Sequence, residues 1–237
     1  MKRMKFIAAG LCALLMFSSC SLNNTAKGTL IGAGGGAAVG AGIGALVGKG
    51  KGAIIGAAIG TAVGGGVGAF VGHKMDKAKA EAEKIANAQV ESVTDANGLA
   101  AVKVTFESGI LFKTSSSALS NEAKSSLSQF ATNVLKQNPD MDVAIQGYTD
   151  NAGWKNSTVA QSQQKNKELS LQRAQSVETY LKSCGVNDAQ IKTVLGYGEE
   201  NPVADNATAA GKEQNRRVEV YIYASQQMIE AAQAQAN

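Results

Sequence analysis

Few side chains in this sequence can carry covalent chemistry. His73 is its one histidine, so residues 97–237 contain none. Ser–His and Cys–His nucleophilic couples and the usual histidine-based zinc sites therefore cannot be assembled in the C-terminal part. Cys12, Cys20 and Cys184 are too few for a disulfide framework, and Cys184 reads as a small, half-buried side chain. Carboxylates remain, but among Glu107, Asp150, Glu199 and Glu200 no spacing singles out a general-acid and general-base pair. Two opposite charges are better placed. Asp150 follows an expected strand, Met141–Gln146, and Arg173 lies in the first turns of an expected helix, Leu169–Ser183. Read by residue type alone, they form a structural ion pair. The expectation is non-covalent binding rather than catalysis, with no metal and no cofactor.

The elements that must position these residues can be read from periodicity. Val90–Thr94 and Leu99–Phe106 alternate as strands around Asp95-Ala96-Asn97-Gly98, a hairpin signal. Ser120–Gln137 is an amphipathic helix, capped by Ser120 or Asn121, with Leu127, Phe130, Val134 and Leu135 on its apolar face and Pro139 beyond its end. Leu169–Ser183 repeats the pattern with Leu171, Ala174, Val177, Tyr180 and Leu181, and Gly185 follows it. Gln190–Tyr197 and Arg217–Tyr223 are further strands, the latter alternating Val218, Val220 and Ile222. The order implies an α+β sandwich with helices on one face of a mixed sheet.

The N-terminal third has a different composition. The formal charge of +4 owes three units to Lys2, Arg3 and Lys5, so the chain from Cys20 onward is only +1 and has no basic stripe for a phosphate backbone. Nucleic acid is not an expected partner. Lys2–Lys5 leads into Phe6–Phe17, an apolar run too short to span a bilayer, which marks residues 1–19 as a signal peptide. Phe17-Ser18-Ser19-Cys20 resembles the lipobox of bacterial lipoproteins, with Phe17 where that motif prefers Leu. The resemblance implies cleavage before Cys20 and acylation of that residue; the plainer alternative is an ordinary secretory signal with an incidental cysteine. Residues 20–27 form a short linker. Ser21-Leu22-Asn23-Asn24 carries no acid, which by analogy with bacterial sorting signals implies an outer-membrane anchor facing the periplasm.

From Gly28 to Gly72 glycine recurs at every fourth residue, and 18 of the chain's 27 glycines fall in this block. Two uncharged arms, Thr29–Gly48 and Ala53–Gly72, flank Lys49-Gly50-Lys51. A period of four puts a smooth groove along one helical ridge, which lets two backbones approach closely. Each interior glycine costs a helix about 1 kcal/mol relative to alanine, so an isolated helix in water is excluded. Residues 28–72 therefore read as a helical hairpin in or on the membrane, as a packed or self-associating helix pair outside it, or as a low-complexity spacer. The pattern resembles the glycine zippers of bacterial envelope proteins. Residues 73–90 read as a helical linker with a solvated charged face, and residues 226–237 as an Ala/Gln-rich tail.

Five spaced motifs in residues 91–225 line up in order. They are Gly147-Tyr148-Thr149-Asp150 with Gly153; Asn166-x-x-Leu169-Ser170-x-x-Arg173-Ala174; Gly196-Tyr197-Gly198-Glu199; Pro202-Val203-Ala204-Asp205-Asn206; and Asn215-Arg216-Arg217-Val218-Glu219. In this order the region resembles the OmpA-like peptidoglycan-binding domain. With the lipobox and the zipper, the chain resembles OmpA-family outer-membrane lipoproteins.

The resemblance implies non-covalent binding of peptidoglycan through the zwitterionic end of meso-diaminopimelate, tethering the outer membrane to the wall. It assigns Asp150 to the ammonium and Arg173 to the carboxylate, and places Asn166, Leu169, Arg217, Thr149 and Asn206 around them. A role dominated by the zipper, as a membrane-inserting or oligomerising element supporting the envelope, is the alternative. The chain departs from the family pattern between Gly153 and Asn166, where twelve residues, Trp154–Lys165, replace a shorter connection. This insert either extends the helix or forms a lid over the pocket.

Overall fold

The computed structural model describes residues 65–95 and 98–236. The signal segment, Cys20, the linker, the zipper up to residue 64, and Ala96 and Asn97 of the expected hairpin turn lie outside the described residues.

The described strands form one five-stranded sheet, β1 (Ala88–Thr94), β2 (Ala100–Glu107), β3 (Met141–Gly147), β4 (Ile191–Gly196) and β5 (Arg217–Ala224), in the order β1-β2-β5-β3-β4. All neighbours are antiparallel except β3 and β4. That parallel pair needs a crossover, supplied by a 25-residue helix, α4 (Val159–Ser183). The remaining helices are α1 (Gly65–Ala82), α2 (Ser108–Leu111), α3 (Asn121–Phe130), α5 (Ala209–Asn215) and α6 (Gln226–Ala236). A π-helical turn, Ala131–Leu135, carries α3 onward to two residues short of the expected end at Gln137.

Strand alternation sorts side chains between two faces. Val102, Val104, Phe106, Val143, Ile145, Val218, Val220 and Ile222 join the main core beneath the helices. The opposite face of β3 and β5 is also buried, but by aromatic and polar groups. There Arg217 pairs with Glu219 at 2.7 Å, Glu219 also accepts from the Tyr221 hydroxyl at 2.7 Å, and the Arg217 guanidinium lies 3.8 Å from the Tyr148 ring centroid. Every charge there has a partner, as a desolvated charge requires.

Besides the short helices α2 and α5, which periodicity did not mark, three expected segments have other bounds or structure than the sequence reading gave them. The helix expected over residues 73–90 runs from Gly65 to Ala82, and Ala88–Val90 already belong to β1. Its buried stripe, Val67, Val71, Met75, Ala78 and Ala82, keeps the helical period across the end of the zipper. The Ala/Gln-rich tail is largely helix α6, whose Met228, Ile229 and Ala232 are buried in the same core. Finally, α4 starts ten residues before Leu169. Thr158 and Gln161 form a reciprocal capping box that sets this start. Residues 159–168 are mostly polar, so the apolar period that betrays a helix begins only at Leu169.

The sheet and α4 meet at two paired glycines. Gly147 and Gly196 stand opposite each other in the β3–β4 ladder. A Cβ on Gly147 would lie 2.1 Å from the Ser170 carbonyl oxygen, and one on Gly196 would lie 2.3 Å from the Leu171 nitrogen. Both contacts are with helix backbone, which cannot step aside locally. Gly147→Ala is expected to lower the unfolding free energy by about 3 kcal/mol, through forced separation of β3 from α4. Urea titration followed by circular dichroism checks this; a loss under 1 kcal/mol would show that α4 docks with slack.

Candidate binding site beyond the end of strand β3

The chain leaving β3 is held by two backbone bonds. The Tyr148 N–H donates to the Arg217 carbonyl at 2.9 Å, and the Thr149 N–H donates to the Gly198 carbonyl at 2.7 Å. Asp150 follows at once, 7% exposed. One of its carboxylate oxygens accepts the Ala152 N–H at 2.9 Å and the other accepts Nη1 of Arg216 at 2.6 Å. The ion pair read from residue types alone is therefore not the one that forms. Asp150 pairs with Arg216, not with Arg173.

Arg173 reaches the same cavity from α4. It is 3% exposed, its Nε donates to the Ser116 carbonyl at 3.0 Å, and its guanidinium lies 5.2 Å from the Phe112 ring centroid. Among the described residues it forms no ion pair. Burial pushes its pKa down to about 10, the Arg216 charge adds to the shift, and Asp150 opposes it. The group is still charged at neutral pH, so the fold holds a desolvated cation with no carboxylate within ion-pair distance among the described residues. A planar, un-neutralised guanidinium in a cleft suits a ligand carboxylate, which it can grip in a bidentate fork.

The cavity measures about 1090 Å³, and Thr149, Asp150, Asn166, Leu169, Arg173 and Arg216 are among its lining residues. The Thr149 hydroxyl is buried and has no hydrogen-bond partner among the described residues, as is also true of the Ser108 hydroxyl on the same wall. Leu169 supplies an apolar wall.

Asn166 lines the cavity but has its side chain engaged. Its amide nitrogen donates to the Ala152 carbonyl at 3.2 Å and more weakly to the Asp150 carbonyl and Glu199, while its oxygen accepts the Trp154 indole N–H at 2.7 Å. It ties the Asp150 loop, the insert and α4 together. Asn166→Ala is expected to cost about 1 kcal/mol of stability by orphaning partly buried partners, and to red-shift Trp154 emission. Trp154 is the only tryptophan, so fluorescence reads this position directly. An unchanged spectrum would mean that the indole is held by its other neighbours.

Two residues placed around the site by sequence resemblance are elsewhere. Arg217 lies on the far face of the sheet in the Glu219–Tyr148 network and does not line the cavity. Asn206 accepts from the Asn215 side chain at 2.8 Å, helping to fold the loop before α5, and also lies outside the lining. Arg216 was missed in favour of its neighbour. Strand parity carried the signal: Val218 faces the core, so Arg217 faces away, and Arg216 is left on the cavity side.

Of the two roles expected of the insert, the structure shows the helix extension. Residues 159–165 extend α4, and Trp154 with Lys155 stands on the cavity wall. The Trp154 main-chain N–H donates to Ser162 Oγ at 3.0 Å, which fixes the turn against the helix.

Comparison with known proteins agrees with this architecture. Residues 111–216 match the family model described as OmpA family, and residues 1–76 match that of the YMGG-like Gly-zipper. The probable lipoprotein YiaD of Escherichia coli is 40% identical over 111 residues, covering 47% of this chain and 46% of that protein. The peptidoglycan-binding protein ArfA of Mycobacterium tuberculosis is 47% identical over 88 residues, covering 37% of this chain and 24% of that protein. The chain thus spans about half or less of these two curated relatives. Among solved structures, the cell wall anchor of the T6SS from Pseudomonas aeruginosa superposes with a TM-score of 0.50 at 26% identity, covering 64% of this chain and 97% of that one. Sheet order and these matches agree: residues 111–216 are similar to the OmpA family, and the segment before them in the same chain is similar to the YMGG-like Gly-zipper.

Proposed function

We propose that this protein binds peptidoglycan non-covalently through the diaminopimelate of the peptide stem, and that it ties the wall to the outer membrane from the periplasmic side. The observation that carries this reading is Arg173, a buried cation without an anionic partner among the described residues, facing the cavity that Asp150 also lines. The free end of diaminopimelate is a zwitterion. Its carboxylate takes the Arg173 fork, and its ammonium joins Arg216 on the Asp150 carboxylate, which has lone pairs to spare. Binding of this kind needs no turnover, and the absence of histidine from residues 97–237 is consistent with it. A peptidoglycan-binding relative supports the ligand class.

The anchor is proposed to be lipid on Cys20. Each buried CH₂ contributes about 0.8 kcal/mol, and more than one chain gives stable attachment. Self-association through the zipper belongs to the same proposal, because its glycine ridge is suited to a second helix.

Calorimetric titration of the full chain in detergent tests the ligand, comparing stem peptides that carry diaminopimelate or lysine at the third position. The diaminopimelate stem is expected to bind at least about tenfold more tightly, since lysine lacks the carboxylate for Arg173. Equal affinities overturn the diaminopimelate assignment. No binding of either stem or of purified sacculi overturns wall binding.

A further inference from the structure

The cavity holds more positive charge than a zwitterion can satisfy. Its lining includes Lys113, Lys155, Arg173 and Arg216 against Glu122 and Asp150. Arg216 and Asp150 neutralise each other at 2.6 Å. Of the remainder, Lys113, Lys155, Arg173 and Glu122 form no ion pair among the described residues, which leaves a surplus of two positive charges. The diaminopimelate end brings one carboxylate and one ammonium, so it answers Arg173 and leaves that surplus unchanged.

Both lysines follow fixed points of the cavity wall. Lys113 comes directly after Phe112, whose ring lies against the Arg173 guanidinium. Lys155 comes directly after Trp154, which is pinned by its main-chain N–H to Ser162 and by its indole to Asn166. The backbones are thereby placed at the cavity, and both lysines are exposed residues of its lining.

We propose that Lys113 and Lys155 form a second anion-recognition element, which makes the protein selective for stem peptides bearing a second free carboxylate. The inference rests on the reading that the cavity holds a peptidoglycan stem. A second carboxylate is available from two sources, the α-carboxylate of the D-glutamate that precedes diaminopimelate and the C-terminal carboxylate of the stem. Exposed ammonium groups act through partly screened attraction, so their effect is modest and falls with salt.

The test is calorimetry on the full chain in detergent with three synthetic tetrapeptides, L-Ala–γ-D-Glu–meso-diaminopimelate–D-Ala, its D-isoglutamine form and its C-terminal amide. One amide is expected to bind about fivefold to tenfold more weakly than the free acid, and this identifies the carboxylate recognised. The Lys113→Gln/Lys155→Gln double variant is expected to bind all three within twofold, at the affinity wild type shows for the weaker amide. Raising the salt concentration to 0.5 M should narrow the wild-type difference in the same way. If wild type binds all three stems within twofold, or if the double variant keeps the difference, the proposal is overturned while stem binding stands. If none of the three binds, the cavity reading falls and this proposal falls with it.

Discussion

Arg173→Ala releases the protein from purified sacculi, with an expected loss of at least about 30-fold in affinity. A buried bidentate guanidinium–carboxylate contact supplies about 2 kcal/mol or more, and 1.4 kcal/mol is a factor of ten. Arg173→Lys keeps the charge but not the fork, so it recovers little of the loss. Stability should move the other way. Burial lowers the Arg173 pKa to about 10, so at neutral pH both the folded and the unfolded chain carry the charge, and the folded state bears its desolvation. That penalty is relieved only as pH rises toward and beyond 10. Arg173→Met removes it, at the loss of the Ser116 hydrogen bond and the Phe112 contact. Its net unfolding free energy is expected to be unchanged or higher by on the order of 1 kcal/mol. Sacculus pulldown and urea denaturation on the same preparations check both halves. A variant that loses binding and stability together would make Arg173 a structural residue, and one that keeps binding would remove it from the site.

The second large effect concerns α1. A fragment comprising residues 88–237 should melt some 10–20 °C below one comprising residues 65–237. Val67, Val71 and Met75 are at most 2% exposed and share one core with Met228 and Ile229, and α1 packs against both α6 and β2. Burial of each such side chain contributes about 1.5–3 kcal/mol, so loss of the helix costs on the order of 5 kcal/mol after the entropy of ordering it. For a domain of this size each 1 kcal/mol shifts the melting temperature by about 2–4 °C. Lys74 adds an ion pair to Asp140 that pins the helix outside the core. In the full chain Met75→Asp should reproduce most of the loss, because it buries an unpaired carboxylate. Melting temperatures within 3 °C of each other for the two fragments would place α1 outside the cooperative core.

That boundary shows what periodicity can and cannot convey. Every strand was legible within two residues of its observed bounds, because one face of each packs on the core and the alternation records it. The N-terminal turns of α4 were not legible, because the side chains they bury, Ser162 and Asn166, are polar and leave no apolar period. Residues 65–72 were legible as part of a glycine repeat but not as part of the domain. Val67 and Val71 continue the stripe Met75–Ala78–Ala82, yet the period-four glycines dominate the local pattern. Their packing partner, α6, lies some 150 residues onward and is recorded nowhere in the local sequence.

The site divides in the same way. Asp150 and Arg173 were legible through spaced motifs, and both line the cavity. Arg216 and Arg217 are neighbours of one residue type, and composition cannot choose between them. The pleat of β5 decides it: Arg217 is turned to the far face and neutralised by Glu219, while Arg216 is left to pair with Asp150. By itself the sequence determined the α+β class, the lack of histidine chemistry in the C-terminal domain, and the two opposite charges, Asp150 and Arg173, that line the cavity. Only the tertiary structure decided which arginine is spent on Asp150 and which stays un-neutralised. Partnering a buried charge depends on a few ångströms between strand end, loop and helix, and residues 66 positions apart reach that distance only when the sheet is folded.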